Sequence, residues 1–160
     1  MTFSLFSRAA LIVIVCFIIG VSSNLISSRH IPWIYAPPSE VMISNHKVPL
    51  VSSKEAERWA GDPQTVFIDT RSEKDYLKGH VPGAISFPSE DKEQKFSGVE
   101  PLLPQGSRLI LYCHGPDCDM AEIVASFLFD FGYSDVMIMS DGYPGWEQNG
   151  FPVERPDNHK

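Results

Sequence analysis

The chain is short of cysteine, of positive charge and of uninterrupted apolar sequence, and each shortage excludes something. Three cysteines in 160 residues are too few for the disulfide framework that replaces a core in small secreted domains. Thirteen Lys and Arg stand against 20 Asp and Glu, giving a net charge of −7 and a pI near 5.1. That balance offers no basic face to the phosphates of a nucleic acid and no general trap for small anions. No internal repeat or low-complexity run is present, which removes solenoids and repeat arrays. Cys113, Cys118 and His114 are grouped, but no second cluster accompanies them, so neither a metal nor a cofactor is expected. What remains is ordinary: 43% hydrophobic and 21% charged residues suit one folded domain with an appendage.

The appendage is N-terminal. Ala9–Val21, AALIVIVCFIIGV, carries no charge and is 13 residues long. That is less than the ~20 residues a membrane-spanning helix needs, and it falls in the range of a signal-peptide core. Leu25 and Ile26 prolong the apolar stretch beyond Ser22, Ser23 and Asn24, and Leu5 and Phe6 precede it. Ala9–Ile26 can therefore span, with Arg8 reaching back to the interface. Val21-Ser22-Ser23 is a weak cleavage site, and Cys16 follows Ile14-Val15 rather than the small residues of a lipoprotein signal. Residues 1–27 read as a membrane anchor, with a cleaved signal and an exported soluble domain as the alternative. Arg8 and the terminal amine lie before the span and Arg29 after it, which favours the N-terminus inside and the domain outside. On that side the surroundings are oxidising and Cys113 can pair with Cys118.

Residues 28–50 read as a linker, because Pro32, Pro37, Pro38 and Pro49 break helices. Trp33 and Tyr35 just past the span suit the headgroup region or the domain surface equally. The folded part runs over 51–154, followed by a polar tail, 155–160. Ser52 with Glu55 matches a capping box. Short apolar strands are expected at Thr65–Ile68, Ala84–Phe87, Leu109–Tyr112 and Val136–Met139. Helical patterns lie at Ser72–Leu77, Phe96–Leu103, Ala121–Phe131 and Pro144–Gln148, and Ser89–Gln94 reads as a solvated charged stretch. Strands that are unbroken apolar runs alternating with helices imply a parallel sheet covered on both faces. In such sheets, sites lie at the carboxyl ends of strands.

Cys113 stands at such an end. In Leu109–Asp119, LILYCHGPDCD, a buried strand stops at the cysteine, a polar loop follows, and a helix begins near Asp119. Loop amides and the positive end of the following helix stabilise a thiolate, the nucleophilic form. A small apolar residue closing a strand is the plain alternative. Cys118 reads three ways: as a resolving cysteine, as the nucleophile itself, or as a small buried loop residue. Asp69 and Arg71 read as a scaffold pair, His80 as a group holding the turn Val81-Pro82-Gly83, Trp146 as core, and Asp119 as a cap of the next helix.

Three blocks resemble the rhodanese-like domains: IDTRSEKDYLKGHVPGAISFP at Ile68–Pro88, LYCHGPDC at Leu111–Cys118, and DGYPGWEQNGFPVE at Asp141–Glu154. The resemblance covers Val51–Glu154. It implies an α/β fold, a rhodanese-like sandwich around a parallel sheet, and a cysteine that carries sulfane sulfur as a persulfide. The nucleophile carries over to Cys113 and the cradle to His114, Gly115, Pro116, Asp117, Cys118 and Asp119, with Asp69, Arg71 and His80 in support. The implied partners are a small sulfane-sulfur donor and a thiol acceptor.

The loop departs from thiosulfate-using relatives, in which a cation commonly lies in or beside it. Between Cys113 and Met120 there is no Arg or Lys, and Asp117 and Asp119 are acidic. Carboxylates facing the sulfur would raise a thiolate's pKa and repel an anionic donor. Phosphatase or arsenate reductase chemistry on this fold needs an arginine at the loop's end to clamp the oxyanion, and Cys118, Asp119 and Met120 supply none. A non-catalytic module in which Cys113 and Cys118 toggle between dithiol and disulfide is the alternative of a different class.

Overall fold

The computed structural model describes residues 5–26, 38–116 and 118–155, in two separate units. The first unit holds helix α1, Leu5–Ile26, 22 residues long. At the α-helical rise this spans about 33 Å, enough for the ~30 Å hydrocarbon core of a bilayer. Its Ser7–Asn24 window has a mean hydropathy of 1.8, so by length and composition it is a candidate span. Arg29, Pro32, Trp33, Tyr35 and Pro37, on which the linker and topology readings leaned, lie outside the described residues, as do Asp117 and the tail 156–160.

The second unit is built on six strands: β1 Glu40–Ile43, β2 His46–Val51, β3 Thr65–Asp69, β4 Ile85–Ser86, β5 Arg108–Tyr112 and β6 Val136–Met139. They lie in the order β1-β2-β6-β5-β3-β4. Helices α2 Ser53–Ala56, α3 Glu73–Lys78, α4 Lys92–Val99, α5 Met120–Asp130 and α6 Gly142–Gln148 connect them. β5 is central and parallel to both neighbours, with Leu111 opposite Ile68 on one side and Ile138 on the other. Successive strand residues face opposite ways, and β5 shows it. Leu109 and Leu111 join Ile68, Val124 and Leu128 in one core, whereas Ile110 and Tyr112 join Phe67, Met139 and Trp146 in the other. An apolar run buried on both faces is what the sequence of a central parallel strand requires.

α5 buries Ala121, Val124, Ala125 and Leu128 along one stripe, the spacing of an amphipathic helix. It ends at Gly132, whose φ is 85°. Tyr133 N donates to Leu128 O and Gly132 N to Phe129 O, the paired bonds of a Schellman close. At the start of α2, Ser52 Oγ accepts from Glu55 N while Glu55 Oε2 accepts from Ser52 N, so the capping box forms as its spacing required.

The linker reading fails from Glu40 onward. Residues 40–51 are a hairpin whose two-residue turn has both central residues at positive φ, Ser44 at 47° and Asn45 at 66°, the type I′ geometry. Pro49 is tolerated because it pairs only with Glu40; the partners of β2 in β6 begin at Leu50. The sheet is accordingly mixed rather than wholly parallel, with β1 antiparallel at its edge. The charged stretch Ser89–Gln94 is not all solvated loop either. α4 starts at Lys92, and Ser89 is buried.

Beyond the carboxyl end of β3, Asp69 and Arg71 form a buried ion pair. Asp69 Oδ1 accepts from Arg71 N at 3.0 Å and Nε at 2.9 Å, Oδ2 accepts from Nη2 at 2.5 Å, and Nη2 also donates to Gly79 O at 2.8 Å. The guanidinium lies 4.0 Å from the Tyr143 ring centre. Burial works against its charge, but the Asp69 hydrogen bonds and charge prevail and hold its pKa above the ordinary arginine value. Removing one partner of such a pair strands the other charge. Arg71→Met is expected to lower unfolding stability by about 3–5 kcal/mol in a urea titration. Arg71→Lys should recover only part, because one ammonium cannot bridge both carboxylate oxygens and Gly79 O. Stability unchanged in Arg71→Met would contradict this reading of the pair.

Candidate functional site

The carboxyl end of β5 is held by both outer sequence blocks. Tyr112 O accepts from Thr70 N and Thr70 Oγ1, each at 3.0 Å. The next carbonyl, Cys113 O, accepts from Tyr143 N at 2.9 Å. The Tyr112 hydroxyl reaches back to accept from Val81 N at 3.1 Å, and burial pushes its pKa well above the ordinary tyrosine value. The ladder ends at Tyr112, paired with Asp69 on one side and Met139 on the other, and Cys113 is the first residue beyond it. Cys113 is 3% exposed.

Gly115 and Pro116 turn the loop, and Cys118 N donates to Gly115 O at 3.2 Å. That turn brings Cys118 back onto Cys113, and the two form a disulfide with a Cα–Cα distance of 6.4 Å, within the usual range. In this disulfide-bonded loop, carbonyl oxygens lie beside Cys113 Sγ, Cys118 O at 3.3 Å and Gly115 O at 3.7 Å. The sequence led us to expect amides there. Asp119 takes the N-cap position of α5 with helical backbone angles and no side-chain capping bond, so the capping role assigned to it is not made. Asp117 lies outside the described residues.

His114 is exposed and points along the surface, its Nε2 3.3 Å from Asp75 Oδ2 on α3. That carboxylate also accepts from Ser72 Oγ at 2.8 Å and Lys78 Nζ at 2.6 Å. Lys78 first, then Ser72, hold it far below the usual carboxylate range. The remaining residues named from sequence stand around the loop rather than in it. Arg71 Nε and Nη2 are committed to Asp69 and Gly79 O. His80 stacks on Tyr76 with ring centres 3.7 Å apart, and its Nδ1 lies 2.9 Å from Tyr76 O. Trp146 is buried, its Nε1 donating to Pro152 O at 2.7 Å.

One residue that shapes the site, Ser53, went unassigned from sequence, and Asp141-Gly142 was read only as a turn. Ser53 is fully buried, and its N and Oγ donate to Asp141 Oδ1 and Oδ2 at 2.8 and 2.6 Å. This fixes Asp141 at the start of α6, where Gly142 has φ 60° and sits against Cys113 and Gly115. A Cβ there would lie 2.5 Å from Cys113 O and 2.6 Å from Gly115 N. The Asp141-Gly142 dipeptide announces a turn, but its partner is 88 residues away in sequence, which no local pattern reveals. A buried sulfur at a strand end, a second sulfur on a turn, and no lysine or arginine from Cys113 to Met120 suit thiol exchange better than anion clamping.

Gly142→Ala is expected to unsettle the loop rather than the sheet. It combines a positive φ costing about 1 kcal/mol with backbone contacts that cannot yield. Intact-mass measurement after mild oxidation should show the Cys113–Cys118 disulfide forming more slowly. A rate equal to wild type would show that the turn does not position the loop.

The family model for the rhodanese-like domain matches residues 52–149. The dual specificity phosphatase Cdc25 of Arabidopsis thaliana is 29% identical over 102 residues, covering 58% of this chain and 68% of that one. The solution structure of a rhodanese-like domain from Anabaena sp. superposes with a TM-score of 0.57 at 21% identity, over 70% of this chain and 83% of that one. A thiosulfate sulfurtransferase of Pseudomonas aeruginosa gives a TM-score of 0.52 at 23% identity, over 68% of this chain but 20% of that one. The match spans the first block, the loop and the last block as far as Asn149: the chain belongs to the rhodanese-like domain family.

Proposed function

We propose that this domain is a sulfurtransferase that carries sulfane sulfur as a persulfide on Cys113. The supporting observation is the placement of one buried sulfur where the central strand leaves the sheet, gripped at its own carbonyl by Tyr143 N. The Cys113 thiolate attacks the outer sulfur of a donor R–S–SH. The donor's S–S bond breaks, RS⁻ leaves as the thiol, and the sulfane sulfur is bonded to Cys113 Sγ. A second thiolate or cyanide then takes that sulfur.

Thiosulfate is not the preferred donor in this reading. Two unit charges at about 4 Å interact by ~4 kcal/mol at an effective dielectric near 20. Exposure cuts this, yet a tenfold rate difference needs only ~1.4 kcal/mol. The loop sequence offers a dianion no lysine or arginine and two aspartates. The activity printed for the phosphatase relative is not carried over, because oxyanion clamping needs the arginine that this loop lacks. A redox module that toggles Cys113–Cys118 is the second reading, and the disulfide favours it. We further propose that α1 anchors the protein, with the domain on the outer side of the membrane, where a disulfide persists.

Reduced protein treated with a small thiol persulfide should gain one sulfur on Cys113, and Cys113→Ser should abolish that gain. Loading from thiosulfate should be slower by about tenfold or more. Full loading in Cys113→Ser would move the carrier role to Cys118, and no loading of the wild type would leave the redox module. For the anchor, the protein should stay with membranes through high salt and carbonate. A mature N-terminus near Asn24 would refute it.

A further inference from the structure

We infer that Cys118 is a second catalytic residue, which discharges the Cys113 persulfide as hydrosulfide and leaves the disulfide seen here as the product. This rests on the carrier reading of Cys113 and assigns the fate of the sulfur. Two cysteines five residues apart are joined across a loop whose turn is fixed by Cys118 N and Gly115 O. Their reach is therefore a property of the backbone. Cys113 is buried and Cys118 is half-buried, so an outside thiol meets Cys118 first. Cys113 Sγ has two carbonyl oxygens beside it. These contacts belong to the disulfide-bonded loop, the state that the proposed step leaves behind.

The step balances without an added oxidant. The Cys118 thiolate attacks Cys113 Sγ, the bond from Sγ to the sulfane sulfur breaks, and that sulfur leaves as HS⁻. The sulfane sulfur gains two electrons, and the two cysteines together lose two in forming their disulfide. A dithiol reductant then attacks the half-buried Cys118 sulfur, the more accessible of the two, and restores both thiols. Over the cycle a persulfide and a dithiol become a thiol, hydrosulfide and a disulfide, so the partner this site requires is a dithiol donor of electrons.

A single-turnover experiment on the full-length chain in mild detergent tests this. Fully reduced protein is mixed anaerobically with glutathione persulfide, with no other reductant. Released sulfide is trapped, and peptide mapping separates Cys113 and Cys118 from Cys16. Wild type should release one equivalent of sulfide per chain and end with Cys113 and Cys118 short of two hydrogens. Cys118→Ser should release none and retain one extra sulfur on Cys113. A wild type that keeps a persulfide on Cys113 beside a free Cys118 thiol overturns the inference while leaving the carrier reading intact. So does sulfide release from Cys118→Ser at the wild-type rate. A Cys118→Ser protein that takes up no sulfur, with no sulfide from the wild type, overturns both.

Discussion

The point on which the site depends is the end of β5, where two successive carbonyls are taken by different parts of the chain. Tyr112 O is held by Thr70, and Cys113 O by Tyr143 N. The bond from Thr70 N is the last rung of the β3–β5 ladder, Tyr143 N bonds the next carbonyl after β6 has ended, and both carbonyls stay satisfied as the chain turns out. Cys113 thus stands at the end of the central strand with its carbonyl bonded, and the loop begins beyond it. A reactive group on such a platform keeps its position while its partners change.

The supports arrive from distant sequence, which is why the three motif blocks occur together. The first block supplies Thr70, the Asp69–Arg71 pair and the Val81 amide under the Tyr112 hydroxyl. The last supplies Gly142, which only a residue without a Cβ can place against Cys113 O and Gly115 N. Ser53 ties that turn to the start of α2. None of these groups needs to touch a substrate. Their common effect is to fix the strand end, from which a loop without arginine or lysine and with a second cysteine departs.

Much of this was legible in the sequence where the signal is local. The capping box at Ser52 and Glu55, the close of α5 at Gly132 and the bounds of β6 follow from spacing and backbone preference alone. The place of Cys113 was legible because a buried apolar run stops there, and the structure puts it, buried, at the end of β5. The hairpin Glu40–Val51 was not legible. Prolines argued for a linker, and Ser44-Asn45 is a weaker turn signal than Asn-Gly. The environment of the sulfur was missed for a related reason. The pairing of Cys113 with Cys118 could be anticipated, but which way the peptides face beside the sulfur follows from the turn at Gly115 and is not written in residue type. Asp119 shows the same limit, standing at the cap position without making the cap.

The central claim is that Cys113, fixed at the strand end, is where sulfur is received. The most direct test is an electron-density map of the Cys118→Ser protein after exposure to a thiol persulfide. The account predicts density for one additional sulfur bonded to Cys113 Sγ, with Tyr143 N still donating to Cys113 O and Thr70 to Tyr112 O. A bare Cys113 in protein whose mass shows sulfur elsewhere, or a strand end that has let go of those two carbonyls, would contradict it.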